Sequence, residues 1–323
     1  MSTQGIVLPT DPTSSNPPLP APNTVFRGPN GLRAGRRVLI FLLFVAVCSA
    51  VLFGVIGLIR RLTGGAGHLS ASSLTPLGTG ISEAAILILT AIPALIMAKI
   101  ERRKLGEYGL PAKFAFRKNF WIGSFVGFLA ISRTLLAIFI MHGFHLTGIA
   151  IRGTTLLTAT AAWTLAFAVV GLAEEFAFRG YLQFTLTTGM GFWPSAILLS
   201  ALFGLAHAGN PGESKFGLLS VVCFGLLFCL FLRRTGNLWW AVGFHAGWDW
   251  GQIFFYGVPD SGLAAYHNLF NSSFSGPRWL TGGSVGPEAS VLTPIILGIV
   301  AILFAYAYRE NHYLPRSNNL YKI

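Results

Sequence analysis

Apolar positions in this chain do not alternate with polar ones; they run together for about 20 residues at a time, at 38–59, 82–100, 120–143, 156–186, 193–207, 217–232, 238–256 and 291–308. A run of ~20 apolar residues is the length of one helical crossing of a bilayer. In lipid, backbone polar groups are satisfied only inside helices or closed barrels. The pattern therefore predicts an all-α fold, a polytopic membrane helical bundle of about eight transmembrane helices. The run at 156–186 exceeds one crossing and is expected to tilt or protrude. The run at 193–207 is short and ends near Gly209-Asn210-Pro211-Gly212, a strong turn signal. Residues 1–35 are rich in Pro, Ser, Thr and Asn, and are predicted to be disordered and too polar for a secretory signal. No internal repeat is visible.

Composition agrees with this solvent. Hydrophobic residues make up 53% of the 323 residues and charged ones 11%, against about a quarter charged in soluble domains. The formal net charge is +12, but the basic residues sit in short clusters between oily runs: Arg36-Arg37, Arg60-Arg61, Arg102-Arg103-Lys104, Arg117-Lys118 and Arg233-Arg234. Nucleic-acid binding would need a basic polar face instead, and is set aside. The loop bias places the N-terminus in the cytoplasm and, with an even helix count, the C-terminus too. The expected location is a cell membrane, that of a bacterial inner membrane. Four segments follow: a cytoplasmic tail (1–35), N-terminal helices with a basic loop (36–119), a chemistry-bearing segment (120–256), and an external loop, last helix and short cytoplasmic tail (257–323). Cys48, Cys223 and Cys229 lie within apolar runs and read as small core residues.

Ionisable side chains at membrane depth cost roughly 2.5–3.5 kcal/mol each, so each asks for a reason. In the fourth run, Glu175 and Arg179 are four residues apart on one helical face and can pair, while Glu174 points about 100° away. In the fifth run, Phe203 and His207 are one turn apart. In the seventh, His245 and Asp249 share a face, with the small Ala246 and Gly247 allowing a neighbouring helix to come close. Each motif alone has a plain structural reading: an ion pair at a helix end, an interfacial His, a buried His–Asp bond. Together they call for one shared wet cavity that supplies a base for water and donors for an oxyanion. Glu83, His142, His145, His267 and His312 are expected at the interface or in solvent.

Glu174-Glu175-Arg179 (EExxxR), Phe203-His207 (FxxxH) and His245-Asp249 (HxxxD) resemble the signature of the CPBP family of intramembrane glutamic endopeptidases. That family includes the type II CAAX prenyl proteases and bacteriocin-processing or self-immunity proteins. The stretch Leu105-Gly106-Glu107-Tyr108-Gly109-Leu110 is also similar to a recurrent family segment. The resemblance implies a hydrolase in which Glu174 acts with His207 to activate water. His245 and Asp249 would stabilise the oxyanion, while Glu175 and Arg179 hold the fourth helix. It implies no cofactor and no metal, although Glu174, His207, His245 and Asp249 would also make a reasonable zinc set. The family often has Asn where Asp249 stands. Asp249 is expected to orient His245 by accepting one ring N–H, which leaves the other nitrogen to donate. The expected partners are membrane lipids and a peptide or membrane-protein substrate, prenylated or not, reached from the cytoplasm or through a gap between helices. The competing reading is a non-proteolytic immunity factor or proton-coupled transporter that uses the same buried charges.

Overall fold

The computed structural model describes residues 27–28, 31–63 and 73–313. Most of the expected N-terminal tail, and the chain beyond residue 313, lie outside the described residues. Every oily run is helical: α1 (Ala34–Thr63), α2 (Pro76–Ile100), α3 (Lys118–Ile140), α4 (Gly153–Arg179), α5 (Tyr181–Met190), α6 (Phe192–Ala206), α7 (Lys215–Thr235), α8 (Trp239–Asp249) and, after the short α9 (Arg278–Thr281), α10 (Leu292–Ala307). Among the described residues, five helical stretches are long and apolar enough to cross a membrane, and α6 and α10 are shorter apolar helices. Leu39, Phe53, Phe125, Leu165 and Ile302 stand exposed on the outer faces. In water such a surface would aggregate; in lipid it matches the solvent. The chain is a multi-pass membrane protein.

The structure departs from the sequence reading in three places. Helix α1 already starts at Ala34, inside the segment expected to be disordered. The long fourth run does not cross as one tilted rod but breaks at Gly180, between α4 and α5. A side chain at Gly180 would overlap the Phe176 carbonyl and ring, so only glycine lets the chain turn there. Finally, the 257–290 stretch is built into the molecule. Its strand Phe270–Phe274 pairs antiparallel with Phe144–Ile149, the segment that follows α3, and the two form a small sheet. Leu280 and Val285 are buried. Period-2 patterning over five or six residues is too weak to compete with the helical signal of the flanking runs.

Helices α3 and α8 touch backbone to backbone. A Cβ added at Gly123 or Gly127 of α3, or at Gly243 or Gly247 of α8, would overlap a carbonyl of the other helix. Small residues replace the missing hydrophobic drive in membranes by letting dispersion contacts form at short range. This seam fixes the height and rotation of α8, and with them His245. At the opposite end, Glu101 gathers Arg37 (3.1 Å), Tyr108 (3.0 Å) and Tyr181 (2.6 Å), which ties α1, the linker after α2 and α5 together. Gly109, at φ 97°, ends the Leu105–Tyr108 turn, and its carbonyl accepts from Leu238 N–H at the start of α8.

Candidate active site

Glu175 and Arg179 pair as their spacing requires: Arg179 Nη1 donates to Glu175 Oε1 at 3.3 Å, with both side chains fully buried. The guanidinium also lies over the ring of Phe203, 4.2 Å from its centroid, and 5.5 Å from that of Phe228. Phe203 thus covers a buried cation. Glu175 does more than hold its own helix, because Oε1 also accepts from His245 Nδ1 at 3.1 Å. The orienting partner of His245 is therefore Glu175. Asp249, expected in that place, stands on the other nitrogen, with Oδ2 3.5 Å from Nε2. Asp249 follows one helical turn later and so lies beside Nε2, while Nδ1 is taken by Glu175.

Glu174, turned away from Arg179, lines a cavity of about 350 Å³ together with Phe203, His207, His245 and Asp249. Its Oε2 is 3.7 Å from His245 Nε2, and its side chain is 22% exposed, against 0% for Glu175. The three motifs on α4, α6 and α8 meet in one space, as their chemistry demands. His207 sits at the end of α6 with Nδ1 2.8 Å from the Phe203 carbonyl oxygen. A carbonyl only accepts, so Nδ1 carries the proton there and neutral His207 keeps its lone pair on Nε2. Phe203 stacks edge-on against that ring. Glu174 Oε and His207 Nε2 are thus acceptors, whereas His245 Nε2 lies between two carboxylates.

The cavity also draws on residues beyond the 120–256 segment. Glu83, expected at the interface, faces the cavity from the second turn of α2, one turn after Thr79, and its Oε2 is buried without a partner. The pairing of Thr79 and Glu83 on one face of an oily helix was the available signal. Asp260, Ser261 and Glu288 enter from the 257–290 stretch. Glu288 Oε2 accepts from Ser261 N–H at 3.1 Å and from its hydroxyl at 2.9 Å. Burial, reinforced by the charge of Asp249, pushes the Asp260 carboxyl up to about 7. Burial and then the charge of Asp260 raise the Glu288 carboxyl. Gln252 fixes this stretch to α8: it accepts from Trp248 Nε1 (2.7 Å) and donates to the Pro259 carbonyl (2.7 Å). It lies in a π-helical turn, Trp250–Phe255, that continues α8. No local sequence signal places a loop carboxyl in a helical cavity.

The loop walls around Asn210, Asp260 and Glu288, and the start of α2 that carries Glu83, lie at the end of the bundle remote from Arg102-Arg103-Lys104 and Arg117-Lys118. His142, His145, His267 and His312 are exposed. Among the described residues, no three His, Cys, Asp or Glu side chains form a metal-holding group, and Glu174, His207, His245 and Asp249 do not converge on one point as a zinc set.

No curated protein matches the chain. Residues 156–251, which run from α4 through α8 and carry every motif side chain, match the family model described as type II CAAX prenyl endopeptidase, Rce1-like. The segment that carries the three motifs is therefore similar to this family of membrane proteases.

Proposed function

We propose that the protein is a glutamic-type intramembrane endopeptidase that hydrolyses a peptide bond through one activated water, without a metal. The observation that carries this reading is the division between adjacent glutamates. Glu175 is buried on Arg179 and His245, while Glu174 opens onto the cavity shared with His207 and His245. Glu174 takes one proton from the water as its oxygen attacks the scissile carbonyl, while His207 Nε2 accepts a hydrogen bond from the water's other O–H. His245, held at Nδ1 by Glu175, donates from Nε2 to the developing oxyanion in its doubly protonated form, with Asp249 beside it. The proton then passes from Glu174 to the leaving amine.

The substrate is a peptide or a membrane-protein segment, prenylated or not. The test compares wild type with Glu174→Gln on a library of quenched fluorescent peptides, some farnesylated, with and without a chelator. Cleavage that is lost in the variant and indifferent to the chelator supports the mechanism. Cleavage abolished by chelator would replace it with metal chemistry, and equal cleavage by both proteins would remove Glu174 as the base.

A further inference from the structure

Away from the cavity, α3 and α10 flank a second hollow of about 670 Å³, lined by side chains such as Val126, Leu136, Ile299, Val300 and Leu303. Its volume falls within the roughly 300–1,000 Å³ range of ligand sites. Its walls are largely apolar, with Trp240 and Tyr308 among them, and carry one charge. Arg133 lies on the same face of α3 as Val126, Leu129, Leu136 and Ile140, borders the hollow and is exposed. Among the described residues nothing partners it: no carboxylate, hydroxyl or carbonyl is within bonding distance.

An unpaired guanidinium in a membrane helix is expensive unless it finds an anion or water. Arg133 is seven residues before the end of α3 at Ile140, which places its Cα about 10 Å from that end at 1.5 Å per residue. From there a long side chain reaches the headgroup level. The apolar hollow below suits an acyl chain. The planar guanidinium suits a phosphodiester, which it can bind through two parallel hydrogen bonds.

We propose that the α3–α10 hollow is a binding site for one anionic phospholipid, its phosphate on Arg133 and an acyl chain between the two helices. The only charge lining the hollow is positive, so a lipid with a net negative headgroup is favoured over a zwitterionic one. The inference is independent of the catalytic reading.

The test uses the full chain in detergent containing equal amounts of phosphatidylglycerol and phosphatidylcholine, with retained lipid read by native mass spectrometry. Wild type is expected to keep one phosphatidylglycerol in preference to phosphatidylcholine. Arg133→Gln should lower that preference by about tenfold or more, the loss of a charge-assisted bond in a dry setting, while Arg133→Lys keeps part of it. Val300→Trp fills the hollow and should reduce retention of both lipids. Wild type that binds the two lipids alike, or Arg133→Gln that keeps the wild-type preference, would overturn the proposal.

Discussion

Adjacent glutamates with opposite tasks lead to a prediction that separates stability from chemistry. Glu175→Gln leaves Arg179 fully buried without its counter-ion; Arg179 Nε and Nη2 already lack partners. Breaking a buried pair from one side costs about 3–5 kcal/mol. The rings of Phe203 and Phe228 still stabilise the cation by roughly 1–2 kcal/mol, and that stabilisation exists before and after the change. That term cancels from the difference, so a cost of about 3–5 kcal/mol is expected, or a Tm drop of roughly 6–10 °C for a chain of this size. His245 also loses an anionic acceptor at Nδ1, so cleavage per folded molecule should fall about 10–100-fold. Glu174→Gln is different. Its side chain is partly exposed and its nearest charged neighbour is 3.7 Å away, so it should change stability by no more than about 1 kcal/mol. Removing a general base should nevertheless slow cleavage about 10²–10⁴-fold. The Glu175→Leu/Arg179→Met double variant, which replaces the pair by apolar volume, should recover stability but not activity. The assays are thermal unfolding in detergent and peptide cleavage normalised to folded protein. The reasoning would be refuted if Glu174→Gln were the destabilised variant, or if Glu175→Gln unfolded like wild type.

Two further changes probe how the site is held. Gly247→Ala puts a methyl into the Ser124 carbonyl of α3; by parting α3 and α8 it should cost about 1–3 kcal/mol and reduce cleavage through displacement of His245, read by the same two assays. The Asp260 carboxyl, raised to about 7 by burial, binds a proton in the folded state that the unfolded chain releases near 4. Its contribution is thus favourable below about pH 4 and is lost as pH rises toward 7, by at most about 1.4 kcal/mol per pH unit. Asp260→Asn cannot ionise, so the fall in Tm between pH 5 and 7 should be shallower than in wild type.

The oily runs, each about one bilayer long, determined the helices, because lipid leaves the backbone no other way to satisfy its polar groups. Spacing also determined local pairing: Glu175 reaches Arg179 because four residues make one turn. The resemblance in three short motifs was legible for the same reason, since each motif lies within a turn or two of one helix. The broken fourth helix was not legible, because Gly180 is one small residue whose meaning lies in its contact with Phe176. The partner of His245 was assigned to Asp249 because only neighbours on one helix can be seen from spacing. The choice of Glu175 depends on how α4 and α8 rotate against each other. Glu83, Asp260 and Glu288 join the cavity from α2 and from a loop that folds back over the bundle. A linear sequence records which residues can be neighbours along one helix; which helices share a face is fixed only once close packing, as along the Gly123–Gly127 and Gly243–Gly247 seam, has chosen a single arrangement.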